Sequence, residues 1–199
     1  MDGDGIMLSL TRPSEARIRA FLLRQQDLPY SYPDVGSTFG APPGGYVVDH
    51  NRIRLGRGPT AFERAREALQ GWAMSRVGWV DVWPPGAPVG VGTTVAVLAL
   101  GYGVWSMFAC RVVRVVEERG PVEEYAFSYG TLPGHLLDGE ERFAVRWDRR
   151  DDSVWYDLLA FSRPSSVVSR LAYPMIRRAQ RRFAPDSLRA MARAVEGGR

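Results

Sequence analysis

Residues Tyr125–Phe143 read YAFSYGTLPGHLLDGEERF. An aromatic run enters Gly130-Thr131-Leu132-Pro133-Gly134, presents His135, and passes through Asp138-Gly139-Glu140-Glu141 into a second alternating run. Alternation on both sides of a Gly/Pro segment predicts a β-hairpin. A turn fixed by Gly and Pro needs no side chain for its own shape, which leaves His135 and the two glutamates free to face something else. On the second run Glu141 shares parity with Phe143, Val145 and Trp147, whereas Glu140 falls with Arg142, Ala144 and Arg146. Glu141 is therefore assigned to the more apolar face and expected to be the buried carboxylate of the two. A buried carboxylate needs a partner, and Arg163 or His135 is expected to supply it.

Outward from this hairpin the same pattern continues. GWVDVWP, VGTTVAVLAL, VWSMFACRVVRVVEE, EERFAVRW and SVWYDLLAFS are rich in Val, Thr and aromatics and are divided by Gly, Pro or Asp turns. With VEEYAFSYGTL they make six strand candidates in a row, which predicts an antiparallel meander. In the last of them both parities are apolar, so each face of the sheet must be covered by a helix, a loop, a partner or a ligand. Tyr46–Leu55 reads as an earlier strand. Thr60 and Glu63 fit a capping box for a helix over Pro59–Met74. Pro13–Gln26 reads as an N-terminal helix, followed by an 18-residue Pro/Gly/aromatic stretch whose Tyr30, Tyr32 and Phe39 suit wrapping over a surface. From Val168 onward Leu171, Ala172, Met175, Ile176, Ala179 and Phe183 recur at spacings of three and four. This predicts a closing helix with Pro174 as a bend or break.

Composition narrows the chemistry. At 199 residues about 70% of the unfolded chain's surface can be buried, enough for one core and one domain. The expected division is an N-terminal helix and loop over 8–45, a core over 46–190 and a frayed tail over 191–199. Cys110, the single cysteine, excludes an internal disulfide and reads as a small core residue. Every basic residue is arginine, which removes lysine nucleophiles from consideration. The segment Arg163–Arg199 carries nine arginines against Asp186 and Glu196, so the chain's excess positive charge belongs to its end. No apolar run reaches membrane-spanning length, and the acidic start MDGDG is unlike a signal peptide, so a cytoplasmic protein is expected. His50, the other histidine, lies on a different strand from His135, so no metal site is expected. Gly56-Arg57-Gly58 lacks the third glycine of a dinucleotide fingerprint, and no cofactor is expected.

A strand, a helix, a six-strand meander and a long closing helix are the order of the helix-grip fold, an α+β arrangement in which a curved antiparallel sheet of six or seven strands wraps a C-terminal helix. Pro43-Gly44-Gly45-Tyr46, Leu55-Gly56-Arg57-Gly58, Ala68-Leu69 with Trp72, Gly78-Trp79, Tyr129–His135, Gly139-Glu140-Glu141 with Phe143, and Phe161–Pro164 resemble the family known as domain of unknown function nineteen-ninety. That family is similar to the START and birch-pollen-allergen-like superfamily. The resemblance implies the fold and an internal pocket for a hydrophobic or amphipathic small molecule; it carries no reaction. Tyr129, Thr131, His135, Glu141 and Arg163 are the candidate polar contacts of such a pocket. In an enzyme reading, as a cyclase, isomerase or hydrolase, His135 and Glu141 are the candidate acid and base. A third reading makes the Arg-rich final helix a contact for anionic lipid or a protein, with membrane contact the less favoured form. No nucleic-acid partner is expected. The doubly apolar strands leave room for a homodimer.

Overall fold

The protein is described from a computed structural model covering residues 7–197. The stretch MDGDG and the last two residues, Gly198 and Arg199, lie outside the described residues. The chain forms β1 (Met7–Ser9), α1 (Glu15–Gln25), β2 (Val47–Arg57), α2 (Gly58–Gln70), β3 (Val80–Trp83), β4 (Thr94–Gly101), β5 (Val104–Glu118), β6 (Val122–Thr131), β7 (Leu137–Asp148), β8 (Ser153–Pro164), α3 (Val167–Leu171) and α4 (Tyr173–Glu196). The six expected strands are β3–β8. They pair antiparallel in chain order, and β2 closes the far edge beside β8. With β1 on the protruding half of β5 the sheet has eight strands. This is the helix-grip fold.

Alternation gives each strand two faces, and the register aligns them across the sheet. Tyr125, Phe127 and Tyr129 of β6 stand opposite Val145, Phe143 and Glu141 of β7, and Tyr156 follows on β8. This face packs against α2 and α4 through Phe62, Leu69, Trp72, Met191 and Val195. The opposite face has its own core, where Ile18 and Phe21 of α1 meet Ala96, Leu98, Met107 and Leu132. Tyr32 and Tyr46 of the 27–46 stretch pack edge-on against Phe161 of the same outer face. Both faces of the sheet are thus covered by the chain itself.

Three expectations need correction. α2 starts at Gly58 with Arg57 as its cap and no side-chain cap bond, so Thr60 and Glu63 lie inside the helix and form no capping box. The cause is Gly58, whose amide bonds the Asp152 carbonyl and whose positive φ of 78° admits the chain early. The helix then breaks at Gly71-Trp72, with Trp72 left-handed, before a 3₁₀ turn over Ala73–Ser75. Pro174 does mark a break, falling in the first turn of α4. The apolar set proposed to close the sheet is wrong in its first half: Leu171 and Met175 are exposed, and the buried residues are Ser187, Ala190, Met191 and Val195. The last two also show that the tail expected to fray from 191 is packed helix as far as Glu196.

Candidate functional site

Glu141 and Tyr129 occupy directly opposed positions on β7 and β6, on the face that looks toward α4. The Tyr129 hydroxyl donates to the Glu141 carboxylate at 2.8 Å. Phe143 and Trp72 pack on the Tyr129 ring, the latter stacked at 6.3 Å. In these apolar surroundings an ionised carboxylate is poorly solvated. Burial raises the Glu141 pKa to about 7, against the lowering effect of the Tyr129 hydrogen bond, and Asp49 adds to the rise. Glu141 thus exchanges its proton near neutrality. Tyr129 is held protonated, by burial first and by Glu141 second. Cys110, buried nearby, has its thiol pushed up by desolvation and is inert as a nucleophile.

Around this pair α4 is tied to the sheet by polar contacts. Arg177 forks onto Asp49 of β2 at 2.5 and 2.8 Å. Gln180 donates to Ser162 at 3.0 Å, and Tyr156 bonds Ser187 at 3.0 Å. No described residue of α4 bonds Glu141, and Glu141 is not fully enclosed.

The other candidates go elsewhere. His135 does not pair with Glu141. Its Nδ1 accepts the Leu137 amide at 2.9 Å, which puts the ring proton on Nε2, and the ring lies 4.6 Å from that of Phe108. Burial lowers its pKa to about 4, so it is a neutral imidazole and a weak base. Arg163 also misses Glu141. By register it stands beside Asp138 on the outer face, over the ring of Tyr46 at 4.5 Å. The Thr131 hydroxyl is bonded to Ser31 at 2.7 Å and receives the Gly139 amide at 3.0 Å, which ties the long loop to the hairpin.

Parity puts Glu141 on the inner face, but its choice of Glu141 as the buried carboxylate needs correction: Glu140 is the more deeply buried of the two, because the loop covers the outer face as well. Glu140 accepts from the Tyr32 hydroxyl at 2.8 Å, the Gly36 amide at 2.6 Å and both the amide and hydroxyl of Thr38. The 27–46 stretch is thus clamped to the outer face by one carboxylate. Gly130 makes this possible, because a Cβ there would overlap the Tyr32 hydroxyl. Gly139 is needed for a similar reason, with its Cβ position occupied by the Phe161 carbonyl. The missed signal was available: a long aromatic loop that wraps needs an anchor, and a glycine stands opposite Glu140 in the hairpin. A second outer-face pair, His50 with Asp157 at 2.9 Å, was not foreseen either.

Two surface clefts stand apart from this site. One of about 290 Å³ lies between Phe62, Arg66 and the β5–β6 hairpin, and one of about 410 Å³ between α2 and Ala194; neither reaches Glu141. Among the described residues no group of three or more His, Cys, Asp or Glu is placed to hold a metal, and no helix is long and apolar enough to cross a membrane.

Comparison with known proteins gives the kinship. A UPF0548 protein of Deinococcus radiodurans is 37% identical, covering 95% of this chain and 99% of its own. A UPF0548 protein of Dictyostelium discoideum is 31% identical over 95% and 96%. Among solved structures, the hypothetical protein jhp0584 of Helicobacter pylori has a TM-score of 0.51 at 11% identity, over 81% of this chain and 92% of that one, a likeness of fold alone. The family described as Domain of unknown function (DUF1990) matches residues 31–190, the span that holds the Glu140 clamp, the Glu141–Tyr129 pair and α4 as far as Ala190, and the chain belongs to that family.

Proposed function

We propose that the protein binds a hydrophobic or amphipathic small molecule between the inner face of the sheet and α4, with a polar group of the ligand meeting Glu141 and Tyr129. One observation carries this reading. A carboxyl that exchanges its proton near neutrality stands on the apolar inner face of the sheet, bonded to a tyrosine and to no described residue of the helix opposite. Such a group costs stability unless something uses it, and a ligand hydroxyl, amine or carbonyl would complete its hydrogen bonding. His135, neutral and packed on Phe108, is the third contact we propose. Thr131 and Arg163 are occupied in holding the loop and the outer face, so the proposed contacts reduce to Tyr129, Glu141 and His135. If the bound molecule is transformed, Glu141 is the group fitted to move a proton, because His135 is too weak a base. The reading places the protein in the cytoplasm.

Native mass spectrometry of the freshly purified chain, followed by denaturing extraction, tests it. The expected result is a discrete bound mass that is lost from a Tyr129→Phe, Glu141→Gln double variant of unchanged circular dichroism. An apo mass for the wild type, together with no thermal stabilisation by any member of an amphiphile panel, would overturn the reading. A ligand present at one hundred times its Kd would add about 2.7 kcal/mol.

A further inference from the structure

The first turns of the C-terminal segment present an apolar face that covers nothing in the protein. Val167 is 70% exposed, Val168 62%, Leu171 81% and Met175 52%. Local structure explains why they point outward. Ser169 and Ser166 cap α3 reciprocally, and Ser169 is the α3 residue turned fully inward, which rotates the valines and Leu171 away from the sheet. In α4 the Arg177–Asp49 and Gln180–Ser162 contacts fix the inner face, which leaves Met175, Arg178, Ala179 and Arg182 on the outer one.

Along the segment itself the charge has one sign. Residues 165–185 contain Arg170, Arg177, Arg178, Arg181 and Arg182 and no Asp or Glu. Arg177 is paired with Asp49 and Arg182 approaches Asp186 at 3.6 Å. Arg170, Arg178 and Arg181 have no carboxylate at ion-pair distance among the described residues. The patch also lies beside the β6–β7 turn, since the Ser165 hydroxyl donates to the His135 carbonyl at 2.7 Å.

We infer that this end of the protein docks on an anionic lipid surface, with Val167, Val168, Leu171 and Met175 entering the interface and Arg170, Arg178 and Arg181 meeting lipid phosphates. An apolar stripe bordered by arginine is the pattern of an interfacial helix. A second copy is a poorer fit, because a two-fold contact would set this uniformly positive patch against itself. Met and Arg are enriched at protein interfaces as well, so a protein partner is separated from lipid by the vesicle experiment below. The inference rests on the exposed surface and does not require that the inner space hold a ligand.

Flotation of the full-length chain with phosphatidylcholine vesicles, with and without phosphatidylserine, tests it. The protein is expected to float with the phosphatidylserine vesicles alone and to be released at high salt. Leu171→Ser with Met175→Ser should weaken partitioning at least about tenfold. Each of Arg178→Gln and Arg181→Gln should weaken it about fivefold. All four positions are exposed, so an unchanged Tm will show that the variants fold. Failure to float with phosphatidylserine vesicles at low salt overturns the inference. Flotation unaffected by the Leu171 and Met175 changes also does so, by reducing the effect to a general attraction between a basic protein and an anionic surface. A concentration-dependent dimer that the same two changes dissolve would assign the patch to a second copy and would equally overturn it.

Discussion

Glu141 and His135 sit six residues apart and are pushed by burial in opposite directions along the pH scale. The Glu141 carboxyl rises from 4.5 to about 7, and the His135 imidazole falls from 6.5 to about 4. For Glu141 the folded state binds the proton more tightly than the unfolded chain. Its contribution to stability is therefore fully present below about 4.5 and is lost as pH rises through 7. For His135 the folded state binds the proton more weakly, so its contribution is fully present above 6.5 and is lost as pH falls through 4. The two slopes oppose each other, and the wild type hides both. Glu141→Gln removes one of them. Thermal unfolding should show the variant close to the wild type near pH 4.5 and more stable above pH 7, by about 2 to 3 kcal/mol or roughly 5 to 10 °C. A Tm difference that stays constant across that range would mean that the carboxyl is not held in its protonated form. Which carboxylate faced the apolar side was legible from parity alone. Its partner was not, because Tyr129 stands on another strand, and the pairing depends on hairpin register, which alternation does not number.

At the scale of elements, the strands were the legible part, since period-two alternation and Gly/Pro turns are local properties. The helices were less so. Helical spacing of Leu171, Met175 and Ala179 says that a face exists without saying what it meets, and here it meets solvent. The N-terminal helix shows a different gap: its sequence gives no sign of what ends it. Gln25, Gln26 and Leu28 offer carbonyls at the C-terminus of α1, and Arg111 of β5 donates to all three at 2.9, 2.7 and 2.8 Å while its Nε bonds Thr94 at 3.1 Å. One guanidinium fork therefore satisfies orphan carbonyls of a helix 83 or more residues away. Arg111→Met keeps the aliphatic stem and removes the fork. We expect a loss of about 2 to 3 kcal/mol, with protection from hydrogen exchange lost first over residues 15–28. Arg111→Lys should recover only part of this, because one ammonium cannot span the three carbonyls. Full recovery by lysine would show that charge near the helix end matters and the fork does not.

The whole molecule is a sheet with a core on each side, and this decides whether the N-terminal segment is an appendage or a structural half. The family match begins at residue 31, after α1, yet the Dictyostelium and Deinococcus relatives align over 95% of the chain. The outer core shows which boundary is physical. Ile18 is 0% exposed, Phe21 6%, and they cover Leu98, Met107 and Leu132, each 1% exposed or less. Removing α1 would return Leu98, Met107 and Leu132 to water and forfeit the burial of Ile18 and Phe21 along with the helix, at about 1.5 to 3 kcal/mol for each of the five. That total is comparable with the whole stability of an ordinary domain, about 5 to 15 kcal/mol. The Glu140 clamp would remain, since Tyr32, Gly36 and Thr38 lie beyond the cut. It holds the loop over Phe161, and of that loop Tyr30 packs against the outer core only as a partly buried side chain. A chain beginning at Pro29 is therefore expected to be insoluble, or to bind a hydrophobic dye without a cooperative melt, although it contains the entire matched family region. If instead it melts cooperatively within a few degrees of the full chain, the outer face does not need α1, and the fold is complete from the loop onward.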